Sequence, residues 1–168
     1  MTAVSYLEIL KLAAPETILA IAAILVLAVD LLVMRAESLR SRFTIGVALA
    51  AAACLGAVFW MFSTGEYGRV ANGILVVDPL TCWVKAAVLL LTVVTLVISM
   101  ESEFTEHVGE YLALILMATV GMMFLVSSED VLMIFVALEL TSLSLYILTA
   151  FNKRNLRSAE AALKYFLF

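Results

Sequence analysis

The chain has 168 residues, of which 65% are hydrophobic and 14% charged, with a formal net charge of −4. A water-soluble domain usually carries about 45–50% apolar and about 25% charged residues, and a chain this short has too little interior to hide such an excess of apolar surface. The composition excludes a soluble domain: for most of its length the solvent is lipid, and no nucleic-acid partner is expected.

A helix crossing a ~30 Å hydrocarbon core needs roughly 20 apolar residues, and five stretches meet that length. The first runs from about Pro15 to Met34. Its apolar run exceeds the roughly 7–15 residues of a signal-peptide core and lacks a basic leader, so it reads as a retained span. Pro15 suits a first helical turn, where its missing N–H costs no intrahelical bond. Asp30, near the far end and followed by Arg35, reads as an interfacial residue. The second span covers about Phe43 to Phe62, and the third about Leu80 to Met100, after Asp78-Pro79. Lys85 sits about a turn inside the third span, where its long stem can snorkel to the interface or the ammonium can be buried for a functional purpose.

Glu101, Glu103, Glu106 and Glu110 cluster after the third span with His107, the only histidine, in what reads as a solvated loop. The fourth span covers about Tyr111 to Ser127, and the fifth about Val131 to Phe151. From about Asn155 to Phe168 the residues again favour helix, and the partial helix over 156–168 ends on an apolar run without a stop signal. It reads as a sixth helix cut short, so a longer natural protein is expected. Residues 1–168 are thus expected to form one all-α membrane domain, a polytopic transmembrane bundle. No strand-length alternation repeats, which argues against a barrel. Cys54 and Cys82 lie far apart without further ligands, as buried thiols behaving like small hydrophobes do.

Basic residues orient the chain. Arg35, Arg40 and Arg42 follow the first span, and Lys153, Arg154 and Arg157 follow the fifth. The positive-inside rule puts both groups on the cytoplasmic side, and the number of crossings between them allows it. Lys11 and Arg69 fall on the opposite side, and the N-terminus is expected outside.

The polar residues within the spans carry the functional signal, since a charge at the bilayer centre costs roughly 2.5–3.5 kcal/mol on insertion scales. Glu139 lies near the middle of the fifth span, about 12 Å from either end, too deep for a short carboxylate to snorkel. Ser142 at i+3 and Tyr146 at i+7 share its face. Such a carboxylate, poised between desolvation and a nearby lysine, can take up and release protons near neutral pH; a neutral carboxyl hydrogen-bonded to another helix is the alternative. Lys164 is the natural partner. It follows Glu160 by four residues, a common surface pairing, yet its neighbours from Ala161 onward are apolar, and a buried lysine gives up its proton readily.

The run Ala137–Tyr146, the basic residues after it and Arg157–Phe166 together resemble the N-type membrane subunit of the proton-pumping NADH:quinone oxidoreductase, respiratory complex I. Pro15-Glu16, Asp78-Pro79 and Gly121–Leu125 extend the resemblance over essentially the whole chain. It implies an antiporter-like fold of about fourteen helices with two inverted five-helix repeats, of which this chain holds the opening part. In that scheme Glu139 matches the motif glutamate of the fifth helix and Lys164 the motif lysine of the sixth. Both would relay protons, supported by Ser142, Tyr146 and Lys85. The resemblance also implies a bacterial-type inner membrane and other membrane subunits of the same complex as partners. Redox chemistry on NADH, FMN, iron-sulfur clusters and quinone would belong to partner subunits, since this sequence offers no Cys cluster, nucleotide-binding glycine loop or haem-ligand pair. A subunit of a multisubunit cation/proton antiporter and a structural membrane scaffold without an ion path are the other readings.

Overall fold

The computed structural model describes residues 6–35, 37–65, 67–70, 73–101, 105–152 and 155–167. Glu103, Lys153, Arg154 and the terminal Phe168 lie outside the described residues. In chain order the elements are α1 (Tyr6–Leu12), α2 (Ala14–Leu32), α3 (Leu39–Thr64), β1 (Gly68–Val70), β2 (Leu75–Val77), α4 (Pro79–Ser99), α5 (Val108–Val126), α6 (Val131–Thr149) and α7 (Leu156–Leu167). Helices α2 to α6 are each long and apolar enough to cross a membrane.

Local chemistry sets the helix starts. Pro15 occupies the first turn of α2. The Ser38 hydroxyl accepts from the Ser41 N–H and caps α3, which therefore begins before Phe43 and takes Arg40 and Arg42 into its first turns. At the other end Gly65 closes α3 in the left-handed conformation, φ 55°, the helix stop for which a residue without Cβ is suited. Asp78 caps α4 by accepting from the Thr81 N–H at 2.6 Å, with Pro79 next to it. Asp130 does the same for α6 through the Met133 N–H at 3.0 Å. These are ordinary N-cap devices that satisfy amides left over at a helix start.

Two elements go beyond the sequence reading. The short α1 precedes α2, joined through Ala13, whose N–H donates to the Ile9 carbonyl. The second is an antiparallel ribbon of β1 and β2 between α3 and α4, pairing Gly68 with Val77, Arg69 with Val76 and Val70 with Leu75. Three-residue strands are too short to leave an alternation readable in sequence.

Helix α5 occupies the middle: over half of its apolar window is buried, against 11% for α6. Leu19 and Val26 of α2, Ala50 and Cys54 of α3, Leu89 and Leu96 of α4, and Leu112, Leu116 and Met123 of α5 form the core. In lipid such a core gains little from the hydrophobic effect and coheres through close packing, so small residues govern how near the helices approach. At Gly121 of α5 a Cβ would collide with the Thr141 hydroxyl and come within 2.9 Å of the Ala137 carbonyl of α6. Along that seam Ala137 and Ser144 of α6 are buried.

The ribbon is strapped across the turn between α5 and α6. The Val76 N–H donates to the Ser127 carbonyl at 2.7 Å, and the Glu129 and Asp130 N–H groups both donate to the Gly73 carbonyl. Arg69 forms a salt bridge with Glu129. Gly73 has φ 99°, a conformation side chains rarely adopt.

Candidate functional site

Glu139 is carried near the middle of α6, ten residues from the Thr149 end of the helix, on its uncovered side. The exposed apolar residues Phe135, Val136, Leu138 and Leu143 surround it along the helix. Among the described helices α6 offers α5 its Ala137–Thr141–Ser144 seam, and Glu139 lies off that seam. Ser142 is half-buried. Tyr146 stacks edge-on against Tyr165 and Phe166, with ring centroids 5.0 and 5.5 Å away. It thus docks α7 onto α6 by its ring.

Lys164 pairs with Glu160 at 2.7 Å, and both side chains are about two-thirds exposed. This is the i,i+4 surface pair, worth a few tenths of a kcal/mol in an isolated helix. Among the described residues no ion pair joins Glu139 to Lys164, so the structure places the two relay candidates on adjacent helices without bringing their charges together.

Lys85 behaves differently from the snorkelling expectation. Its side chain is only 1% exposed, and its Nζ lies 2.5 Å from Oε1 of Glu16, itself fully buried. The contact is electrostatic rather than directional: the charges touch, yet neither Glu16 oxygen meets a donor at hydrogen-bonding angles. Glu16 was missed as a site residue, although a signal was present. Spans one and three start from the same side, and Glu16 and Lys85 both fall within the first two turns of their helices.

Asp30 is also buried, and its partner is Arg42 rather than the nearer Arg35. The guanidinium donates twice, from Nε to Oδ1 at 2.7 Å and from Nη2 to Oδ2 at 2.6 Å. The Gly109 N–H adds a third bond at 2.9 Å. A Cβ on Gly109 would stand 2.6 Å from the Asp30 Cβ, so only glycine lets the start of α5 approach this carboxylate. The bidentate fork is the strong form of the Arg–carboxylate pair, and here it ties α2, α3 and α5 together.

Hydroxyls complete the buried polar set. Thr92 of α4 and Thr119 of α5 share a bond of 2.9 Å, and Ser99 meets Tyr111 at 3.0 Å. Among the described residues no group of three or more His, Cys, Asp or Glu could hold a metal ion, and Cys54 and Cys82 are free and buried.

Apolar spanning helices packed in this manner, with charges inside, define a multi-pass membrane protein. Residues 128–168, covering α6 and α7, match the family model described as the membrane domain of NADH:quinone oxidoreductase and Mrp antiporter proteins, which sets the class as antiporter-like. Within it, the chain is 43% identical to NADH-quinone oxidoreductase subunit N 2 of Acidobacterium capsulatum, over 100% of this chain and 36% of that protein. It is 39% identical to NADH-quinone oxidoreductase subunit N of Maricaulis maris over 99% of this chain and 35% of that one. Subunit N 1 of Rhizobium meliloti is 32% identical over 99% of this chain. The chain belongs, along its whole length, to this family of N subunits. It spans about a third of the length of these curated relatives.

Proposed function

We propose that this chain forms part of the proton-translocating membrane arm of an NADH:quinone oxidoreductase. The observation that carries the reading is Glu139: a carboxylate in the middle of a spanning helix, on a face that the described residues leave uncovered. Lipid can cover Phe135 and Leu138, but a carboxylate at that depth calls for a polar neighbour. Full-length N subunits are about three times as long as this chain, which supports a further helix of the same subunit on that face. In this reading Glu139 alternates between pairing with a cation and holding a proton, and Lys164 exchanges protons when Glu160 no longer holds it. Ser142 and Tyr146 line the same side.

Electron transfer belongs to partner subunits. NADH, FMN, iron-sulfur clusters and quinone are bound there, and this chain's two separated thiols suit none of them. The partners are neighbouring membrane subunits and the lipid bilayer. The setting is a bacterial inner membrane, with the N-terminus and the β-ribbon outside. The family model's description also names Mrp antiporters; dependence of the pumping on sodium would favour the second reading, a subunit of a cation/proton antiporter.

The test is made in the full-length subunit within its assembled complex, measuring proton uptake by membrane vesicles per assembled complex. Glu139→Gln keeps the shape without the charge and is expected to lose most pumping; Glu139→Asp keeps the charge and part of the pumping. Normal pumping by the glutamine variant would leave Glu139 as a structural hydrogen-bond partner and support the scaffold reading.

A further inference from the structure

The Glu16–Lys85 pair is in an unusual physical position. Both side chains are withdrawn from solvent, and the two carboxylate oxygens lack aligned donors. Stripping two charges of water costs several kcal/mol per ion, which is recovered only when geometry and extra hydrogen bonds are good. The Asp30–Arg42 clamp meets that condition; the Glu16–Lys85 pair does not. A pair kept for cohesion alone would be replaced without loss by apolar side chains, whereas buried ionisable groups in membrane helices are the ordinary material of proton sites.

A small recess lies beside the pair on one side. An opening lined by Lys11, Leu12, Pro15, Trp60, Thr64 and Val77 reaches Lys85 beside the β-ribbon. Among the described residues, the ionisable groups beside the pair are Lys11 of α1 and Cys82 of α4, and Cys82 in turn lies near Asp78. Helix α3 contributes only Trp60, Met61 and Thr64 there. Glu16 lies in the first turn of α2, and Lys85 within the first two turns of α4.

We propose that Glu16 and Lys85 form a second proton-exchanging site, opening to the ribbon side of the membrane, distinct from Glu139 and Lys164. The step balances as one proton. An Nζ–H bond of Lys85 breaks, an O–H bond forms on Glu16, and the pair passes from two opposite charges to none. Release of that proton to water through the opening leaves a single negative charge, which the next proton neutralises. This proposal rests on the reading of the chain as part of a proton pump.

The experiment uses the full-length subunit in its complex, reading assembly on native gels, NADH oxidation, and protons moved per NADH. Lys85→Arg keeps the ion pair but cannot release a proton at accessible pH; it is expected to assemble, oxidise NADH and move fewer protons per NADH. Unchanged proton yield overturns the proposal. Where arginine does not fit, the uncharged double variant Glu16→Gln/Lys85→Met decides: assembly with reduced proton yield supports the site, and normal yield overturns it. Failure of both to assemble makes the pair purely structural and also overturns it. Glu139→Gln measured in parallel separates the two ideas. Loss of yield in the Lys85 variant alone removes Glu139 from the relay but keeps this site, whereas loss in Glu139→Gln alone does the reverse.

Discussion

Two carboxylates of α2 are withdrawn from water, and each meets its cation differently. Asp30 accepts three bonds, two from the Arg42 fork and one from the Gly109 amide, so the cost of its burial is offset locally. Glu16 touches Lys85 without any aligned bond. The first arrangement has the character of a structural clamp, and its weak point is Gly109. Gly109→Ala forces a methyl group into the Asp30 side chain and is expected to destabilise the folded subunit by about 1–3 kcal/mol, the usual penalty of overpacking. Arg42→Ala leaves a buried charge without its partner and costs more, about 3–5 kcal/mol. Thermal unfolding in detergent, followed by helical circular dichroism, measures both; a Gly109→Ala variant as stable as the parent would refute the packing argument. At this scale the sequence identified Glu139, Lys85 and Asp30 as charges within spans, because charge and depth are local properties. It did not give their partners. Glu16 and Lys85 are brought together by packing of helices far apart in the chain, and only parallel starts of spans one and three hint at the meeting.

The elements were legible where the signal was long and apolar. The five spans appear as α2 to α6, with starts shifted where a cap overrules hydropathy, as Ser38 does for α3. The β-ribbon was not legible, since its order comes from contacts with the α5–α6 turn rather than from its own six strand residues. Asp78 shows how capping couples an element to pH. The Thr81 amide that it accepts from holds its carboxyl below the usual carboxylate range. A lowered folded-state value means that the ionised cap stabilises fully above the unfolded pKa of about 3.9 and is lost as pH falls through the lower folded value. Asp78→Asn retains a good cap without the charge, so its thermal midpoint is expected to vary less than the parent's between pH 5 and pH 2, values set by ~3.9 as the upper edge of the window. Equal slopes for the two proteins would remove Asp78 from the acid response.

On the scale of the whole molecule, α5 is the shaft around which α2, α3 and α4 pack, and α6 is attached along one seam. Alternating crossings gather the ribbon, the α5–α6 turn and the Glu16–Lys85 pair at one end, with the Asp30 clamp at the other. The clamp end carries Arg35, Arg40 and Arg42, and the orientation proposed above puts it on the cytoplasmic side under the positive-inside rule. Because Cys54 and Cys82 are buried, a membrane-impermeant thiol reagent would report on introduced sites. Tyr67→Cys should be labelled from outside intact cells, and Arg35→Cys only after permeabilisation; the opposite pattern would invert the orientation of every helix.

The strap at the ribbon end has a consequence for Glu139. Helix α6 packs on α5 through the close Gly121–Thr141 approach, and its start is tied a second time. Its first capping residue, Asp130, is held by the Gly73 carbonyl, and Arg69 grips the adjacent Glu129. Glu139 follows Asp130 by nine residues, so it hangs about 13 Å below that anchor along the helix. The ribbon therefore acts as a depth stop: it fixes how far along the helix the Glu139 carboxylate stands from the ribbon end.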